Sequence, residues 1–146
     1  RLGYDLLCGG YGGVMEAVAR GCNEAGGRCR GIGLERFSPT PNPYIHRFER
    51  THTLGERLDY FDRNADIFLG LTGGIGTVTE IMFFWDQAKG GALEGRPIIL
   101  YGEQWDDFLK ILDRGFLIPE SAFKLITPLH SPEDLNKYLK RFTPKK

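Results

Sequence analysis

The stretch GLTGGIGTVTE, residues 70–80, decides the fold and points to a site. An apolar, strand-like run that begins at Ile67 ends here in three glycines within four positions, and an apolar helical pattern follows. Glycine lets the backbone approach a ligand and turn its N–H groups toward one point. A helix N-terminus adds the positive end of a dipole. The pattern therefore predicts an anion site, of the kind that holds a phosphate group, at a strand–turn–helix junction.

The end of this stretch, TVTE at 77–80, has a second interpretation. Thr77 and Glu80 fit the Ser/Thr-x-x-Glu capping box, in which both side chains satisfy backbone donors at a helix start. Capping alone does not need the three glycines upstream, so the anion site is the favoured interpretation. The two interpretations are compatible with each other.

Strand-like and helix-like patterns alternate along the whole chain. The predicted strands cover residues 4–8, 28–34, 48–51, 66–71, 97–101 and 125–127. The predicted helices cover residues 14–22, 54–64, a segment from the glycines to about 89, 105–112 and 135–142. The strands are mostly continuous apolar runs, which indicates that both of their faces are covered. These features predict an α/β fold, an open parallel sheet with helices on both faces in a Rossmann-like three-layer sandwich.

The chain has 146 residues, which predicts a single domain over 1–146. Because a strand begins at about residue 4, we expect the first strand and helix of the sandwich to be absent from this chain. A second glycine-rich turn, at 9–13, follows the first predicted strand. Ligands of such folds bind beyond the carboxyl ends of strands, so we expect both turns to face one crevice.

Composition excludes several classes of protein. The 19 basic and 19 acidic residues cancel, which argues against a nucleic-acid partner. No apolar run of about 18 residues predicts a membrane span. The three cysteines form no C-x-x-C pair, which favours a reducing, cytoplasmic location. The three histidines lack the spacing of metal ligands, so no metal site is predicted.

The sequence lacks the known nucleotide-binding motifs. The dinucleotide fingerprint G-x-G-x-x-G lacks its last glycine at both turns, and no Gly-Lys-Ser/Thr phosphate loop is present.

On the helix at 54–64, one face carries Arg57, Tyr60, Phe61 and Asn64. An arginine among aromatics often meets an anion. The alternative is an arginine that snorkels or pairs with an acid.

Taken together, these motifs resemble those of the LONELY GUY family, also called lysine-decarboxylase-like proteins. Its signature P-G-G-x-G-T-x-x-E matches residues 72–80 at every defined position but the first. The 9–13 turn followed by Val14-Met15 resembles the family's glycine-rich turn. Arg57 stands 23 residues before Glu80, as the family's arginine stands before the motif glutamate.

The resemblance implies a phosphoribohydrolase, which cleaves the N-glycosidic bond of a nucleoside 5′-monophosphate such as AMP or a cytokinin riboside phosphate. The products are the free base and ribose 5-phosphate. It implies Arg57 and Glu80 as the catalytic pair, no cofactor, and a homodimer or larger homo-oligomer to which the aromatic helix at 83–85 is suited. The implied phosphate-binding residues are Gly73, Gly74, Ile75, Gly76 and Thr77. The residues implied near the base and ribose are Gly10, Gly13 and Met15.

Two departures from the family pattern keep an alternative open. Thr72 replaces the motif proline, and the family's Met-His-x-Arg-Lys segment becomes LGERL at 54–58, which keeps Arg57 without the histidine and lysine. The alternative is a non-catalytic protein on the same scaffold that binds a nucleotide or a phosphorylated cofactor such as molybdopterin. A nicotinamide-dependent oxidoreductase is not favoured, because neither glycine turn matches the dinucleotide fingerprint.

Overall fold

The computed structural model describes residues 2–142. Within these residues strands and helices alternate nearly throughout, and all strand pairs are parallel. The strands are β1 (Leu6–Cys8), β2 (Cys29–Leu34), β3 (Arg47–Thr51), β4 (Phe68–Gly70), β5 (Ile98–Tyr101) and β6 (Ile126–Leu129). The helices are α1 (Val14–Glu24), α2 (Leu54–Asn64), α3 (Ile75–Lys89), α4 (Gln104–Gly115), α5 (Glu120–Phe123) and α6 (Pro132–Leu139). The predicted α/β class with open parallel sheets is confirmed.

The chain divides into two compact units, and the first covers residues up to 65. Its sheet has the order β1-β2-β3, with β2 in the centre. The sequence explains this order, because β2 is apolar or small along most of its length and is buried, whereas β3 reads RFERT and is partly exposed. The core of the unit includes Ala19, Ile32, Leu34, Leu58 and Phe61.

The second unit covers residues 66–142 of the described chain. Its sheet has the order β4-β5-β6, and the central strand β5 carries the fully buried run Ile98-Ile99-Leu100. The sequence predicts one sheet and one domain. The strand ladders of the described residues form two three-stranded sheets, one in each unit, and the single domain stays a prediction.

The predicted elements match the observed ones closely, with differences at their ends. Helix α2 has the predicted bounds, while β1 begins at Leu6 and not at residue 4. The short helix α5 was not predicted, because four residues are too few to show a helical period. Helix α6 ends at Leu139, so Phe142 lies beyond it. No helix within residues 2–142 is both long and apolar enough to cross a bilayer.

The aromatic segment at 83–85 packs largely inside the second unit. Phe84 and Trp85 are 3% and 4% exposed. The Phe84 ring stacks on Phe68 of β4 with the ring centres 4.0 Å apart, and Trp85 Nε1 donates to the Ala122 carbonyl at 2.8 Å. Core packing therefore accounts for Phe84 and Trp85, and a role of this helix in a subunit contact stays a prediction.

Candidate functional site

The turn between β4 and α3, residues 73–77, presents an open helix N-terminus. Helix α3 begins at Ile75, with Gly74 as its N-cap in an extended conformation (φ −92°, ψ −161°). The first hydrogen bond of the helix runs from Val78 N to the Gly74 carbonyl at 3.3 Å. No side chain caps this end of the helix in the described structure. The N–H groups of its first turn have no acceptor within the helix, so an acceptor for them has to come from outside it.

The capping-box interpretation of Thr77 and Glu80 is therefore wrong. The helix begins two residues before Thr77, so Thr77 is its third residue and Glu80 its sixth. A Cβ added at Gly73 would collide with the Thr77 hydroxyl and would lie 2.9 Å from the Thr77 Cβ. The Thr77 side chain is thus folded back against Gly73 rather than capping the helix. Glu80 is partly buried one turn further along the same face as Thr77.

Two glycines of this turn have no reason within the protein to be glycine. A Cβ added at Gly74 or at Gly76 would find no heavy atom of the described structure within 4 Å. Neither residue has a positive φ, so the backbone does not require glycine either. The neighbouring Ile75 is 82% exposed. These positions keep space open beside the first amides of α3, which is the room that a bound anion needs.

In the first unit, the 9–13 turn is packed against Arg57. A Cβ added at Gly9 would lie 2.7 Å from both Arg57 Nη2 and Met15 Sδ. Arg57 is only 9% exposed, and its Cζ lies 5.3 Å from the centre of the Phe61 ring. The structure thus brings together Arg57 and Met15, two predicted site residues that are far apart in sequence.

A capping box fixes the start of the helix that carries Arg57. The Thr53 hydroxyl accepts from Glu56 N at 3.1 Å, and Glu56 Oε2 accepts from Thr53 N at 3.3 Å. Glu56 Oε2 also accepts from His52 N at 2.9 Å. Arg57 follows directly, and the next apolar residue, Leu58, is buried. The capping box and the buried Leu58 thus fix the first turn of α2. They thereby also fix the direction in which the Arg57 side chain projects from the helix.

The four residues that were predicted to share one face of α2 have separate surroundings. Arg57 and Phe61 are buried together. The Tyr60 hydroxyl donates to Glu49 Oε1 at 3.1 Å, and burial together with this hydrogen bond raises the pKa of Tyr60. Asn64 is exposed and accepts from Arg30 at 3.3 Å. Only Arg57 and Phe61 therefore form a common buried surface.

The predicted base- and ribose-binding glycines also have structural reasons of their own. Gly10 has a φ of +78°, and a Cβ there would lie 2.8 Å from Phe48 Cε2. Gly13 is the N-cap of α1 with a φ of +69°, and space beside it is open. Left-handed conformations of this kind favour glycine. Contact of Gly10, Gly13 and Met15 with a ligand stays a prediction.

Asn42 holds the 9–13 turn in place and was not singled out from the sequence. Its side chain is 7% exposed, and its Nδ2 donates to the carbonyls of Gly10 at 3.2 Å and Tyr11 at 2.9 Å. Its Oδ1 accepts from Tyr44 N at 3.1 Å, and its own backbone N donates to Gly10 at 2.8 Å. The signal in the sequence is an asparagine between two prolines, a pattern that by itself indicates only a loop.

The histidines of the described residues all have protein partners. His46 Nδ1 accepts from Cys29 N at 3.0 Å, His52 contacts Glu35 at 2.7 Å and His130 contacts Asp106 at 2.8 Å. Within residues 2–142, no group of three or more His, Cys, Asp or Glu side chains is placed to hold a metal ion.

The fold and the two glycine turns define a Rossmann-like α/β protein with an open helix N-terminus as its candidate anion site. A solved structure supports this class. The chain is similar to the molybdenum cofactor binding protein of the phototrophic bacterium Rippkaea orientalis, with a TM-score of 0.73 and 19% identity. The match covers 94% of this chain and 77% of that one, and it shows the fold alone.

The chain belongs to the LONELY GUY family, because the family model described as possible lysine decarboxylase matches residues 15–139. A probable cytokinin riboside 5′-monophosphate phosphoribohydrolase of Oryza sativa is 28% identical over 160 residues, covering 97% of this chain and 61% of that protein. A cytokinin riboside 5′-monophosphate phosphoribohydrolase of Mycobacterium tuberculosis is 26% identical over 141 residues, covering 85% and 71%. The chain thus spans about two thirds of the length of the curated relatives it matches, 61% to 71%.

Proposed function

We propose that this protein hydrolyses the N-glycosidic bond of a nucleoside 5′-monophosphate, AMP or a cytokinin riboside monophosphate, to free base and ribose 5-phosphate. The observation that carries the proposal is the uncapped N-terminus of α3, with open space at Gly74 and Gly76 and with Glu80 one turn further on. An open helix start attracts a phosphate dianion through its amides and its dipole.

In this proposal the 73–77 turn holds the 5′-phosphate. The amides of Gly74, Ile75, Gly76 and Thr77 belong to the first turn of the helix and donate to phosphate oxygens. Gly73 gives the Thr77 side chain the room it occupies, which places the Thr77 hydroxyl beside the same amides. The phosphate then positions the sugar relative to α3.

Glu80 is the proposed group for the bond-breaking step. Cleavage of a glycosidic bond gives the sugar oxocarbenium character, and a carboxylate stabilises that positive charge or orients the attacking water. Glu80 lies on the same helix as the phosphate-binding amides, one turn from Thr77. A substrate held by its phosphate would therefore meet this carboxylate with its ribose.

Arg57 is the proposed cationic partner of the reaction. It is buried against Gly9, Met15 and Phe61, so its guanidinium has little rotational freedom. A guanidinium that is ordered before binding loses little entropy when it pairs with a substrate oxygen or with the departing base. The names of the relatives from rice and Mycobacterium tuberculosis support this choice of reaction.

Carriage of a phosphorylated cofactor is the second candidate. Two observations favour it, namely the likeness in fold to the Rippkaea orientalis protein and the departures at Thr72 and beside Arg57. Such a carrier would use the same 73–77 turn to hold the phosphate of its cargo. It differs from the hydrolase in requiring no bond cleavage.

One experiment separates the two candidates. The purified chain is incubated with AMP and with isopentenyladenosine monophosphate, and the free base is measured by chromatography. The hydrolase predicts base release that is lost in Glu80→Gln and Arg57→Ala, with folding checked by circular dichroism. Tight binding of nucleotide or molybdopterin without base release would favour the carrier. Light scattering after gel filtration tests the proposed homo-oligomer, and neither nucleic acid nor a membrane is required.

A further inference from the structure

Thr72, which directly precedes the 73–77 turn, is tied to Gln104, the first residue of α4. Its hydroxyl accepts a hydrogen bond from Gln104 Nε2 at 2.8 Å. Strands β4 and β5 pair in register up to Gly70 and Leu100. Beyond that pair no strand hydrogen bonds continue the ladder in the described structure, so the side-chain contact links Thr72 to the start of α4 where the ladder has ended.

Gln104 is itself held in place for this contact. Its Nε2 also donates to the Tyr101 carbonyl at 3.2 Å. Gly102 has a φ of +112°, and a Cβ there would collide with Gln104 Oε1 and would lie 2.8 Å from its Nε2. The glycine thus provides the space in which the Gln104 amide lies. The amide spans from the end of β5 to the residue that precedes the phosphate-binding glycines.

We propose that Gln104 is a positioning residue for the 73–77 turn, acting through Thr72. The proposal rests on the phosphate-binding role proposed above for that turn. Proline at position 72 would fix φ and restrict the residue before it. Threonine leaves both free, and the turn that follows contains glycines with open space around them. The hydrogen bond from Gln104 supplies the restraint that the residue type at 72 does not.

A weaker restraint on the turn should change KM but not kcat. The 5′-phosphate is bound in the ground state and in the transition state alike, so a loosened turn raises KM and leaves kcat unchanged. We expect Thr72→Val, which replaces the hydroxyl by a methyl group of similar size, to raise KM for AMP about three- to tenfold, the range set by one net hydrogen bond. Gln104→Ala should raise KM by a similar factor. Thr72→Ser keeps the hydroxyl, so its KM should equal that of the unaltered chain.

A proline at position 72 makes the test sharper. In the Thr72→Pro background the turn is restrained without the hydroxyl, so adding Gln104→Ala should leave KM unchanged. The matched control is Ser131→Ala, which removes the N-cap bond from Asp134 N to Ser131 Oγ on α6 and should lower thermal stability without a change in KM. Inorganic phosphate as a competitive inhibitor gives a second measure, and its Ki should follow KM.

The outcomes separate this inference from the proposed function. If the unaltered chain releases base and binds phosphate, but Thr72→Val and Gln104→Ala leave KM and Ki as they were, the positioning role is overturned and the proposed function stands. A fall in kcat at constant KM would also overturn it, because it would indicate only a smaller folded fraction. If the unaltered chain binds neither AMP nor phosphate, both are overturned.

Discussion

Replacing Gly76 by alanine should make the protein more stable and less able to bind phosphate. Gly76 is the second residue of α3, its φ is not positive, and a Cβ there meets no heavy atom of the described structure within 4 Å. Alanine in a helix is favoured over glycine by about 0.5–1 kcal/mol. For a chain of 146 residues this corresponds to an increase in Tm of about 1–4 °C.

The same methyl group should obstruct the anion. The Cα–Cβ bonds of a helix tilt toward its N-terminus, so the alanine methyl would project into the space before the first amides of α3. A hydrogen bond to a charged group contributes about 1.5–3 kcal/mol, and the loss of one such bond weakens binding about tenfold or more. We therefore expect KM for AMP and Ki for inorganic phosphate to rise at least about tenfold in Gly76→Ala.

The assay pairs a thermal melt with base-release kinetics on the same preparations. Gly21→Ala is the matched control, because Gly21 is an exposed glycine within α1 with equally open space. It should raise Tm by a similar amount and leave KM unchanged. Gly73→Ala provides the contrast, since its Cβ would collide with the Thr77 side chain and should lower Tm. A Gly76→Ala variant that is more stable and has an unchanged KM would refute the idea that these amides hold the phosphate.

Three further predictions concern the first unit. Gly9→Ala places a Cβ 2.7 Å from Arg57 Nη2 and Met15 Sδ, so we expect kcat for AMP to fall at least about tenfold in steady-state kinetics; an unchanged kcat would contradict the role of Arg57. Asn42→Asp turns a buried double donor into an acceptor that faces two carbonyls, and denaturant unfolding should show a loss of about 2 kcal/mol or more, whereas a smaller loss would show that the turn is not held by this amide. Burial raises the pKa of the Cys29 thiol to about 12, with a smaller contribution from the neighbouring Cys22, so iodoacetamide at pH 8 should spare Cys29 in the folded protein; peptide mass mapping that finds it labelled in the folded chain would contradict this.

Much of the fold follows from the sequence because its signals are local. The sequence pattern predicts the bounds of α2, and the apolar run of β5 predicts a buried strand. The neighbours of Arg57 could not be predicted in this way. Its contacts with Gly9 and Met15 join residues more than forty positions apart in the chain, and no pattern within α2 indicates them. The same holds for Asn42, whose importance depends on which carbonyls lie opposite it.

The structure of each unit locates one of the two glycine turns, but a shared site of the two turns stays a prediction. The 9–13 turn follows β1 and the 73–77 turn follows β4, each at the carboxyl end of a parallel strand, as the sequence indicates. That both face one crevice, and that Arg57 and Glu80 act on one substrate, are proposals. The Glu80→Gln and Arg57→Ala variants test them together.

The chain contains two Thr-x-x-Glu segments near helix starts, and only one of them caps its helix. At 53–56 the pattern forms a full capping box, with both reciprocal hydrogen bonds present. At 77–80 the same pattern forms none, because glycine at 74 starts the helix three residues earlier. The side chains that could have satisfied the first amides are thereby moved past them, to the third and sixth positions of α3. A helix that begins before its potential capping residues leaves its first amides without a side-chain cap, which supports the phosphate monoester that we propose as the ligand of this turn.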